Sequence, residues 1–197
     1  MDLAFAIAQG IGLAVACGVR PFLPALLAGA VATANLFWID FDHTDYAFLE
    51  QPAFLLAVLV GVVLVVLVER RRRTAAFEPG PLGAAVAGIG IGIGALLFAG
   101  SLADAGEIAW PGLLGGLACA AVGQIAARGI FTGAAARLDS SARAALPAYA
   151  DGTSLLLAAA AILLPPLSIV TLGFAVWIIV RRRRRSGEKF AGLRVLR

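Results

Sequence analysis

Gln9, Gly10, Gly12, Cys17, Gly18, Arg20, Pro21, Phe22 and Pro24 form the cluster with the most chemistry in it. Arginine stays charged at any physiological pH, and its planar fork of donors matches carboxylate or phosphate oxygens. Pro21 opens an apolar run, so a helix N-terminus with its partial positive charge points at the same place. Gln124, Arg128 and Gly129 repeat that chemistry in the second half of the chain. Arg20, Arg128, Gln9, Gln124 and Pro21 are therefore the candidate anion-binding residues. The competing reading makes both arginines interfacial connectors that snorkel toward lipid headgroups. The other acids sit in connectors or beside arginine blocks, which leaves Asp139 as the one expected internal partner for Arg20.

Other patterns carry less. Asp40, Asp42, His43 and Asp45 could hold a divalent cation through carboxylate oxygens, but the spacing lacks the glycine and terminal glutamate of a calcium loop. A solvated external loop is expected there, with no metal. No Ser/His/Asp set, HExxH, P-loop or carboxylate pair stands in a credible context, so no catalytic residue, no enzyme activity and no cofactor is expected. Cys17 and Cys119 lie inside apolar runs as packing residues.

The elements that must position these residues follow from composition. Of 197 residues, 61% are hydrophobic and 14% charged, with mean hydropathy +0.94. A soluble domain of this size is about one-quarter charged and could not hide so much apolar surface. Six long apolar runs stand at Leu3–Val19, Pro21–Ile39, Pro52–Val68, Pro81–Ala103, Ile108–Ala127 and Gly152–Val180, and about 18 apolar residues suffice for a crossing. The expected fold is all-α, a polytopic transmembrane helical bundle of six or seven membrane segments. Asp2 precedes the first run, so it does not read as a cleaved signal.

Charge sets the expected orientation. Arg70–Arg73 and Arg181–Arg185 each close an apolar run, whereas the connector Asp40–Gln51 holds four acids and no Lys or Arg. The positive-inside rule puts both blocks and the C-terminus in the cytoplasm and the acidic connector outside. Anionic lipid is the expected partner of the arginines, and nucleic acid is not. The tail 181–197 alternates Lys189, Arg194 and Arg197 with Phe190, Leu193, Val195 and Leu196, a pattern for a short surface helix.

Residues 1–180 read as one transmembrane domain. A faint repeat pairs 3–73 with 108–185 across a linking span, 81–103, giving a three-one-three plan. Within it, Gly129–Ala150 is a weak return segment carrying Arg137, Asp139 and Arg143, so either that segment lines a polar interior or residues 108–150 form a re-entrant hairpin whose second limb is amphipathic. Pro165-Pro166 must kink or break the run from Gly152. Gly88, Gly90, Gly92, Gly94, Gly112 and Gly116 have the spacing for close helix packing, which also suits a homo-oligomer.

Cys17-Gly18-Val19-Arg20-Pro21-Phe22-Leu23-Pro24 resembles the small-Gly-x-Arg-x-Phe-x-Pro signature of the bacterial membrane family called domain of unknown function 4126. Cys17 stands where that signature usually has Ser. The resemblance implies a multi-pass protein of the bacterial inner (plasma) membrane and implies no activity. The residues themselves point to a small transporter or channel for an anionic solute or lipid phosphate; the alternative is a non-transporting membrane scaffold or assembly factor that binds partner helices and anionic lipid.

Overall fold

The computed structural model describes residues 2–37, 39–72 and 80–191, excepting the side chains of 72 and 185–191. Among these the chain is all-helical, with seven α-helices: α1 (Leu3–Val19), α2 (Phe22–Thr33), α3 (Pro52–Arg72), α4 (Pro81–Asp104), α5 (Trp110–Ala135), α6 (Ser140–Leu163) and α7 (Leu167–Ala191). A 3-10 turn, Ala47–Glu50, precedes α3. Four helices, α3 to α6, are long and apolar enough to cross a membrane, which makes this a membrane protein.

Helix α1 is the axis of the bundle and packs against α4, α5, α6, α7 and α2. Small residues let the backbones approach. Gly10 lies against Phe98, Gly94 against Ala14 and Gly90 against the Cys17 carbonyl, so α1 and α4 run antiparallel. Gly112 meets Ala99 and Gly116 meets Ala95, which makes α5 antiparallel to α4 and parallel to α1. Gly88 and Gly92 have nothing within 4 Å of where a Cβ would stand. Their expected packing role inside the bundle is therefore corrected: at about 100° per residue they fall on the face of α4 opposite Gly90 and Gly94.

The C-terminal half divides differently from the expected runs. Gly129–Ala135 extends α5 and Ser140–Ala150 begins α6, so no separate return segment exists between them. The run from Gly152 breaks after Leu163, where Pro165 and Pro166 lack backbone donors. The turn is closed by the Leu167 and Ser168 amides, each donating over 2.9 Å to the carbonyls of Leu164 and Pro165. Asp151 lies at Arg20, the far end of α1, while Ala161 and Ser168 both touch Gly12 at its middle. Arg182 then lies on Gly129 and Gly133, which flank Phe131, packed beside Val19. The chain thus leaves the Arg20 end along α6, reverses beside the middle of α1 and returns to the same end along α7.

Helix α2 has 12 residues, about 18 Å of rise, and a folded loop completes its side of the bundle. Asn35 takes a left-handed φ of 49°, and the Leu36 amide donates to the Val31 carbonyl at 3.0 Å, a Schellman closure. Ile39, Phe41 and Leu49 are buried with α1 and α2. The expectation of a simply solvated loop is corrected on that ground: alternate residues of 39–42 point inward and anchor it. Helix α3 packs on α2 and the 3-10 turn, and most of its apolar surface is bare.

Candidate functional site

The structure draws charge together where α1 ends. Arg20 caps α1 in an extended conformation, its amide still bonded to Ala16, and Pro21 prevents the helix from continuing unbroken. The side chain turns inward and is 6% exposed. Its Nη1 and Nη2 donate to Glu69 Oε1 and Oε2 at 3.1 and 3.2 Å, the parallel fork in which guanidinium and carboxylate match best. Nε lies 3.0 Å from Asp151 Oδ1, close enough for an ion pair but without hydrogen-bond alignment. Nη2 also reaches the Pro147 carbonyl at 3.4 Å.

Three helices supply this centre: α1 the cation, α3 Glu69 at its last turn, and α6 Asp151. The expectation that only Asp139 could pair with Arg20 is overturned. Asp139 instead caps α6, accepting the Ala142 amide at 3.0 Å and the Ser141 hydroxyl at 3.1 Å. A buried unpaired guanidinium would be costly in an apolar bundle, and the two carboxylates offset part of that cost.

Two narrow clefts meet at Arg20. One is lined by Pro21, Phe22, Leu23, Val86, Asp151 and three valines of α3, and so opens between α3 and the rest of the bundle. The other joins Arg20 to Gln124, Arg128 and Phe131. Arg20, Pro21, Gln124 and Arg128 all line these two clefts. Gln9 stands apart, eleven residues back along α1 and so about 16 Å away; it is 2% exposed with Oε1 unpartnered.

Gly129 and Gly133, which share the spacing of the packing glycines, make room for the Arg182 side chain rather than for a helix backbone. Near it, Arg181 lies 4.9 Å from the centre of the Trp177 ring, a cation-π contact of the sort found at membrane interfaces.

No protein-family model, curated protein or solved structure matches the chain. The reading of the site therefore rests on its geometry alone. Glu69 and Asp151 were the residues that sequence reasoning missed. The available signal was that each is a lone acid at the edge of an apolar run, but Glu69 was absorbed into the adjoining arginine block.

Proposed function

We propose that the protein is a small membrane transporter whose solute, an anion or a lipid phosphate, is received at Arg20. The observation that carries this is the buried Arg20–Glu69–Asp151 cluster at the junction of two clefts, since intramembrane ion clusters are expensive and mark solute or proton pathways. The clefts are too narrow for a solute in this conformation, so this is a closed form. Glu69 is a latch, tying the peripheral α3 to the axis of the bundle, and its release opens the first cleft onto Arg20. Asp151 is more exposed than Glu69, 31% against 7% by side chain, and is the carboxylate a proton reaches first. Its neutralisation frees Nε for an anion, so proton and anion move together.

The element order supports a three-one-three plan, because three helices precede α4 and three come after it, each trio closing on an arginine block. On the positive-inside rule the Arg20 end is cytoplasmic, α1 to α5 cross, and α6–α7 re-enters from within as a sixth segment, a hairpin. The home of such a protein is a bacterial inner membrane with the C-terminus inside. One observation favours the scaffold instead: the bare apolar face of α3, with Leu56, Val60, Val63 and Leu64 exposed, suits a partner helix as well as lipid.

The deciding measurement uses sealed proteoliposomes of wild type, Arg20→Lys and Arg20→Ala. Uptake of inorganic phosphate, succinate and short-chain phosphatidic acid is followed with and without an imposed pH gradient. Wild type should accumulate one class of anion, more with acid outside; Lys, lacking the fork, should lose most of the rate, and Ala all of it. Equal behaviour of the three proteins removes the transport reading and leaves the scaffold.

A further inference from the structure

At the opposite end of α1 from Arg20, the folded loop brings three carboxylates to one point. Asp40, Asp42 and Glu50 each place an oxygen within 4.8 Å of the others. Glu50 is only 7% exposed, and its Oε1 is fully buried with no hydrogen-bond partner. A carboxylate buried beside two further carboxylates is unfavourable unless a positive charge joins them. Among the described residues no Lys, Arg or His forms an ion pair with any of the three.

The cluster is held rather than drifting. Phe41, between two of the acids, is fully buried, as is Leu49 beside the third. The Asp40 carboxylate accepts the Asp42 amide at 2.9 Å, and the Thr33 hydroxyl donates to the Glu50 carbonyl at 2.8 Å. Repulsion among the acids is therefore not relieved by the loop swinging open. Three carboxylates gathered at one point, one of them buried with an unpartnered oxygen, call for a positive occupant, whether proton or metal ion.

We propose that Asp40, Asp42 and Glu50 form a binding site for a calcium-class divalent cation that pins the loop between α2 and α3 to the end of the bundle. All three ligands are hard oxygens, which suit Ca²⁺ or Mg²⁺ rather than a thiolate- or imidazole-seeking metal. Two oxygens on one Ca²⁺ can stand as far apart as twice the bond of about 2.4 Å, against roughly 4.2 Å on Mg²⁺. Oxygens within that limit can share one Ca²⁺; three protein carboxylates suit Ca²⁺ better than Mg²⁺, which keeps most of its water and takes one or two, and water completes the six to eight ligands of Ca²⁺. Three protein carboxylates on an outward-facing loop suit affinities of roughly 10⁻⁴ to 10⁻³ M, the range of extracellular calcium modules.

The test uses the full chain in nanodiscs of phosphatidylcholine, which lacks the anionic headgroups that themselves hold calcium. Radiolabelled calcium binding and thermal unfolding are followed up to about 10 mM Ca²⁺ or Mg²⁺, some ten-fold above the weakest affinity expected. Wild type and Asp45→Asn, whose residue lies outside the cluster, should show saturable calcium binding and a rise in Tm. Asp42→Asn and Glu50→Gln should bind at least about ten-fold more weakly. If Glu50→Gln fails to fold, the exposed Asp42 decides alone. No saturable binding by wild type, tighter binding of Mg²⁺ than of Ca²⁺, or an Asp42→Asn protein that binds as wild type does would each overturn the proposal, the first leaving a shared proton as the only occupant.

Discussion

Arg20 has both donor edges of its guanidinium turned to carboxylates, and that arrangement has consequences for stability as well as for binding. Removing one partner of a buried pair costs roughly 3–5 kcal/mol, because a charge is left without compensation. Glu69→Gln should therefore lower Tm sharply, with Asp151 recovering only part of the loss. A double variant, Arg20→Met with Glu69→Leu, should regain much of the stability, since apolar replacement of a whole pair is often neutral or better. It should regain no transport. Chemical or thermal unfolding in detergent measures the first effect, and a Glu69→Gln protein as stable as wild type would show that the fork contributes nothing. At this scale the sequence revealed the cation and the proline that breaks the helix beside it. It concealed the partners, because pairing across 49 and 131 residues of chain depends on how α3 and α6 pack, which no local pattern encodes.

Helices with almost no amphipathic contrast are hard to orient from sequence, since a helix surrounded by lipid and neighbours is apolar on every face. Glycines give the orientation away only once their surroundings are known. Gly90 and Gly88 differ by two positions in the same run, yet one abuts the Cys17 carbonyl and the other faces open space. Gly88→Ala should be neutral or stabilising by up to about 1 kcal/mol through helix propensity. Gly90→Ala should destabilise, because backbone cannot yield to a new methyl group. Unfolding midpoints of the two single variants give the comparison; equal effects would mean that α4 does not lie on α1 in this register. The break at Pro165-Pro166 was legible because proline's missing donor is a local property. The path of the chain beyond that break was hidden: whether it continues onward or turns back depends on Gly12 admitting Ala161 and Ser168 together.

The whole molecule is polarised along α1, with the Arg20 cluster at one end and the Asp40, Asp42 and Glu50 carboxylates at the other. The α6–α7 hairpin is the part of that arrangement most open to a direct check. From Asp151 to Leu164 the chain climbs about 20 Å, two-thirds of a roughly 30 Å hydrocarbon core, so the turn at Leu164–Pro166 lies inside the membrane if the arginine end is cytoplasmic. Leu163 and Leu164 are exposed there, as lipid-facing side chains should be. Both native cysteines are buried, so single cysteines introduced at Asp45, Leu164 and Ser186 can report without interference. An impermeant thiol reagent applied to intact cells should label position 45 alone; permeabilisation should add 186 and still leave 164 unlabelled. Labelling of 186 in intact cells would invert the orientation. Labelling of 164 from outside would carry α6 through to the far surface, making it a full crossing with no turn inside the membrane.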